Sequence, residues 1–171
     1  MNFYCISCLT GFEEKYREKV QKKLDEPCAV VKGKVHFLKK QMRLKNGKEY
    51  YEAFFAGYVF LETEETKNVA LLEVASEKEF LRFLPANNEI LPLCDKDKNI
   101  ILSIVQYGSV VGIVPVTFDE NDKIVICDGV FKGLSGHVVA VNRRNKRVNV
   151  VLDFMNNAKV VGLTYEEIRK K

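Results

Sequence analysis

The chain opens on an apolar run, FYCISC at 3–8, and its period then changes in LTGFEEKYREKVQKKL. Tyr16, Val20 and Leu24 recur at four-residue steps and mark one face of a helix. Thr10 and Glu13 have the spacing of a capping box, in which hydroxyl and carboxylate satisfy backbone donors at a helix start. Pro27 stops the helix. Residues 3–26 therefore predict strand, tight turn and amphipathic helix. Residues 29–40 can form a strand. Asn46-Gly47 predicts a type I′ hairpin turn, with positive φ at both central positions, and KEYYEAFFAGYVFLE at 48–62 predicts its return arm. Val69 and Leu72 have helical spacing within 66–76, and FLRFL at 80–84 reads as a short strand. Asp95 or Asp97 can cap a helix running to about Gln106, with Ile101, Leu102 and Val105 as its apolar face. The order β-α-β-β-α-β-α predicts an α+β sandwich, one antiparallel sheet with helices against it.

After these elements the pattern changes. GSVVGIVPVTF at 108–118 has no charge, two glycines and a proline, and reads as a linker with some strand character. Beyond it, 123–127, 137–142, 147–152 and 158–162 read as strands of a small β-barrel or curled sheet, near the size at which a lone core is marginal. Within it lies GVFKGLSGHVVAVNRRNKRVNV at 129–150. Gly129, Gly133 and Gly136 permit tight turns and positive φ. Asn142 and Asn145 can take turn geometry, and Arg143, Arg144, Lys146 and Arg147 project from the tip.

Charge sharpens this picture. The formal charge is only +4, but residues 31–48 hold seven Lys/Arg and no acid, and residues 137–147 hold four and no acid. Clustered cations point to nucleic acid or an acidic partner, and a solvated tip is the alternative for each cluster. The 32–48 hairpin brings Lys39, Lys40, Arg43, Lys45 and Lys48 near any nucleic acid it meets. In the second cluster, Arg143, Arg144, Lys146 and Arg147 suit an RNA backbone, because guanidinium forks pair with phosphates and stack on bases. Lys132 sits in a loop where its ammonium can reach a phosphate, and His137 is a strand-surface residue and a possible contact. The five cysteines are an odd number, with no signal peptide and no long apolar run, which fits a reducing cytoplasm and no membrane. Cys5 and Cys8 form one CxxC on a strand, where residues three apart face opposite sides, so no metal site is expected. There is no phosphate loop, nucleophile elbow or spaced His/Asp/Glu set, so a binding protein without cofactor is expected rather than an enzyme.

Three stretches together resemble the NusG family. FYCISCLTGFE at 3–13 is similar to the opening of that family, an aromatic pair in the first strand and a Ser/Thr-Gly-aromatic-Glu turn into the first helix. FFAGYVFLE at 54–62 resembles its "FPGYV" strand, with Ala56 where proline is usual. IVICDGVFKGLSGHVVAVNRR at 124–144 looks like a KOW motif. The resemblance implies an NGN α/β domain at 1–108, a linker at 109–118 and a KOW-type β-barrel at 119–171. It implies a monomer that binds the transcribing RNA polymerase, at the clamp of the largest subunit, and influences pausing and termination. Phe3, Tyr4, Leu9, Phe12, Phe55 and Tyr58 match positions that build the polymerase-facing apolar surface; their alternative is core, since strand alternation does not let Phe55 and Tyr58 face one side together.

Within the family, HFLKKQMRLKNGKEYYEAFFAGYVFLET and the basic KOW turn are similar to the specialised LoaP-type paralogs. These are processive antiterminators of selected operons whose KOW domain binds a leader RNA hairpin. The alternative is a general elongation factor whose KOW domain binds a ribosomal protein or Rho. The RfaH type, whose C-terminal domain switches to helices, fits less well with the β-branched valines of 137–142 and 147–152.

Overall fold

The computed structural model describes residues 1–132 and 137–168, without the side chain of Val69. Gly133, Gly136 and the Val69 side chain, invoked above, lie outside the described residues. The described chain forms two compact units that do not follow chain order: 1–38 with 55–102, and 39–54 with 103–171.

The first unit carries β1 (Asn2–Cys8), α1 (Glu13–Leu24), β2 (Gly33–His36), β5 (Tyr58–Thr63), α2 (Asn68–Leu71) and β6 (Phe80–Phe83). Its sheet runs β2-β5-β1-β6, antiparallel throughout, with Cys5 opposite Phe60 and His36 opposite Phe60 on the other side. This is the expected α+β arrangement. β1 is central, which is why an unbroken apolar run suits it: Phe3, Tyr4, Cys5 and Ile6 are all buried. Tyr16, Val20 and Leu24 of α1 enter the same core as Val35, Leu61, Leu71 and Val74.

Several local expectations are corrected. The capping box does not form. Phe12 is the N-cap residue and makes no side-chain cap bond, while the buried Glu13 carboxylate accepts from the Gly57 backbone N–H at 2.7 Å. Asp95 and Asp97 lie inside the first turn of α3 (Asp95–Val105), where they favour the helix dipole. Ile101 and Ile104 are the fully buried residues of α3. In 66–76 the buried positions are Leu71 and Val74, with Leu72 exposed, because α2 gives way to a 3₁₀ turn at Leu72–Ser76. The segment 29–40 yields two strands, β2 and part of β3 (Lys39–Arg43), which join different sheets. The 48–62 arm also divides, into β4 (Glu49–Ala53) and β5, with Gly57 at φ +79° between them.

In the second unit, β3 pairs antiparallel with β4, and β7 (Val110–Val111) joins β3 in parallel. A second sheet runs β10 (Val138–Asn142), β11 (Arg147–Phe154), β12 (Asn157–Glu167), β8 (Val114–Phe118), β9 (Ile124–Ile126). Residues 109–118 thus contribute two strands. β12 pairs with β11 through Asn157–Thr164 and then in parallel with β8 through Tyr165–Glu167, so one long strand changes neighbours and curls the sheet. Val148, Val150, Leu152, Val161 and Leu163 are buried; Val139 and Val141 of the edge strand β10 are exposed.

Candidate nucleic-acid interface

Two turns in the second unit carry the cations, and they share a geometry. In the β3–β4 turn, Gly47 N–H donates to Leu44 O and Leu44 N–H to Lys48 O, with Gly47 at φ +83°. This is a turn closed by a bulge residue in left-handed conformation, not the two-residue I′ turn expected, and Asn46 does not take positive φ. Asn46 instead accepts the Lys48 N–H on its side chain. In the β10–β11 turn, Lys146 N–H donates to Arg143 O and Asn145 N–H to the Asn142 side chain. Here the left-handed residue is Lys146, at φ +52°, and neither asparagine adopts it.

The cations of the second turn meet different surroundings. Arg143 is paired with Asp122 at 2.5 Å and its guanidinium lies 4.1 Å from the centre of the Phe118 ring. Lys146 lies over Tyr165 at 5.6 Å, with Glu167 at 3.8 Å. Arg147 turns inward, donating to Thr164 Oγ1 and to the Arg43 carbonyl, the latter at 2.9 Å. Arg144 is exposed and has no ion-pair partner among the described residues. Lys132 and His137 are also exposed.

The cations of 39–48 divide in the same way. Arg43 is held by Glu49 at 2.7 Å. Lys40 donates to the Gly162 carbonyl at 3.0 Å and lies 3.4 Å from Glu52. Lys39 is half-buried, and its backbone N–H donates to Ser109 O. Lys45 and Lys48 are exposed, without ion-pair partners among the described residues.

The two turns line one groove of about 670 Å³ within this unit. Arg43, Leu44, Lys45 and Gly47 come from one side and Arg144, Asn145, Lys146 and Arg147 from the other, with Thr164 and Tyr165 between them. The Tyr165 hydroxyl and Asn145 Oδ1 are buried without a hydrogen-bond partner among the described residues. Burial pushes the Tyr165 phenol above its usual range, so it is a neutral donor. Nothing in the sequence singled out Tyr165 or Thr164; a tyrosine in a strand of a small barrel reads as core.

In the first unit, the six positions matched to a polymerase surface separate clearly. Phe3, Tyr4 and Phe55 are core, and Tyr58 is half-buried. Leu9 and Phe12, at 41% and 47% exposure, stand out from the loop between β1 and α1. That loop is fixed by Cys8 N–H to Gly57 O, Leu9 N–H to Glu79 O and the Glu13–Gly57 bond. Gly57 serves as the anchor through its positive φ and through lack of space, since a Cβ there would sit 3.0 Å from Thr10 Oγ1. Among the described residues no group of three His, Cys, Asp or Glu side chains is placed to hold a metal ion. Nor is any helix of the described residues long and apolar enough to cross a membrane. The cysteines are free thiols, and burial beside Glu13 and Glu79 pushes the Cys8 thiol up to about 12.

Comparison with known proteins decides the family. The family described as "Transcription termination factor nusG" matches residues 1–102, more than half of the chain. The chain belongs to the NusG family. The fold agrees: it is similar to Thermotoga maritima NusG, solved as "Domain interaction in Thermotoga maritima NusG", with a TM-score of 0.64 at 21% identity over 95% of this chain and 93% of that one. A looser likeness, TM-score 0.37 at 14% identity, covers 95% of this chain and 91% of a chain in the MjSpt4:Spt5 complex. No curated protein matches the chain by sequence. NusG membership makes this a transcription elongation factor.

Proposed function

We propose that this NusG-family chain is a processive antitermination factor that binds RNA polymerase through an NGN domain at 1–108 and an RNA hairpin through a KOW domain at 119–171. On selected operons it suppresses pausing and termination. In the NGN domain, Leu9 and Phe12 meet the clamp of the largest polymerase subunit, while Phe3, Tyr4 and Phe55 support that surface from beneath and Tyr58 flanks it. In the KOW domain, Arg144 leads, with Lys146, Lys132 and His137 on the accessible side; Arg143 and Arg147 hold the turn in place.

The observation that carries the RNA reading is the β10–β11 turn: four cations in five positions, one of them, Arg144, exposed and without an ion-pair partner among the described residues. An RNA phosphate has the geometry that such a guanidinium fork pairs with. The deciding experiment is a pause-and-termination assay on the full chain, with and without the natural leader RNA on the template. Readthrough that depends on the leader is the expected result; leader-independent activity overturns the RNA reading.

One feature favours a second reading. Val139 and Val141, 59% and 39% exposed, present apolar surface on the edge strand β10. A general elongation factor whose KOW domain takes a ribosomal protein or Rho would use such an edge, and leader-independent activity is what that reading predicts.

A further inference from the structure

We propose that the β3–β4 and β10–β11 turns are the two walls of one groove that holds the phosphate backbone of an RNA stem, so that a hairpin outside the KOW segment supplies half of the RNA site. This inference rests on the RNA reading above and names the residues that complete it. Two observations carry it.

The first is the sorting of charge. Arg43 and Arg143 are neutralised by Glu49 and Asp122. Lys45 on one wall and Arg144 on the other have no ion-pair partner among the described residues, and both line the groove. An unpaired cation therefore stands on each wall, where one continuous polyanion can reach both.

The second is rigidity. Arg147 donates to Thr164 Oγ1 and the Arg43 carbonyl, Thr164 Oγ1 accepts the Arg43 N–H at 3.3 Å, and Lys40 donates to the Gly162 carbonyl. These bonds tie β3 to β11 and β12 before any ligand arrives, and walls already in place lower the ordering cost of binding. A single carboxylate on a protein partner would satisfy one of these donors; the repeating anion of a nucleic-acid backbone satisfies donors on both walls. RNA is favoured because its stem is read by shape and backbone.

The test uses the full chain and a fluorescein-labelled RNA stem-loop of arbitrary stem sequence, titrated at two salt concentrations. Lys45→Glu and Arg144→Glu should each lower affinity by roughly tenfold or more and reduce the log–log salt slope by about 1. Circular dichroism confirms folding of each variant. Wild-type affinity in Lys45→Glu, with Arg144→Glu still weakened, overturns the shared groove and leaves the KOW turn to bind alone. Wild-type affinity in Arg144→Glu as well removes the RNA reading itself.

Discussion

Phe12 and Phe55 both come from family-like stretches, yet they answer to different physics. Phe12 is about half exposed, with the Lys15 ammonium 5.8 Å from the centre of its ring. Phe55 is buried and meets Phe60 edge to face. Phe12→Ala should leave stability within about 0.5 kcal/mol of wild type, so any loss of polymerase binding by that variant reports on the surface. Phe55→Ala should cost about 3–5 kcal/mol and confound a binding assay with unfolding. Urea denaturation of the two variants separates them; a large loss of stability in Phe12→Ala would mean that its side chain is core. His36 gives a pH dependence at the same scale. It is buried, stacked on Phe3, with Nε2 2.8 Å from a Glu62 oxygen. Burial lowers its pKa; the Glu62 bond and charge oppose this in part, and Lys34 and Arg17 add to the lowering. The unfolded chain therefore takes up a proton near 6.5 before the folded chain does. Stability is full above that pH and falls as pH drops below it toward the lower folded value. The urea midpoint should decline between pH 7.5 and pH 5.5 in the wild type and decline less in His36→Gln; equal declines would remove His36 as the cause.

At the scale of elements, the sequence showed periodicities well and partners poorly. β1, α1, β6 and α3 were legible because each has one period and clear stops: an unbroken apolar run, a four-residue step ended by Pro27, a short FLRFL, and an acidic helix start. The capping box was misread because Glu13 has a competing partner, the Gly57 N–H, that is 44 residues away in sequence. The 48–62 arm read as one strand because residues 49–53 and 58–63 both favour extended backbone; what divides them is Gly57, whose left-handed φ is invisible in a pattern of apolar and polar letters. The turns illustrate the same limit. Asn46-Gly47 located a hairpin but not its type, and the basic turn hid the fact that Lys146, not an asparagine, takes the left-handed conformation. That conformation disfavours any residue with a Cβ by roughly 1–2 kcal/mol, partly offset by the greater freedom of glycine in the unfolded chain. Lys146→Gly should accordingly raise stability by about 0.5–1 kcal/mol, and Gly47→Ala should lower it by about as much. Thermal midpoints of the two variants test this, and a Lys146→Gly variant less stable than wild type would show that the Glu167 and Tyr165 contacts outweigh backbone strain.

For the whole molecule, chain order and compact units disagree: the β3–β4 hairpin is embedded in the first half of the sequence but belongs to the compact unit of 103–171. The two candidate surfaces, the Leu9–Phe12 loop and the paired basic turns, lie in different units and use opposite chemistry, one apolar and one cationic. If the chain joins polymerase to RNA as proposed, the two interactions should separate by mutation. Phe12→Ala should weaken binding to the transcribing polymerase and leave affinity for the leader hairpin unchanged. Arg144→Glu should do the reverse, with loss of RNA affinity that deepens with added salt in the wild type and flattens in the variant, since counterion release scales with the phosphates contacted. Readthrough at a terminator needs both contacts, so each variant alone should abolish leader-dependent antitermination, and mixing the two variants should not restore it, because the contacts must act through one chain. Restoration by the mixture would mean that polymerase and RNA are engaged by separate copies. Retained readthrough by Arg144→Glu would assign the C-terminal unit to a protein partner, with the exposed Val139–Val141 edge as its binding surface.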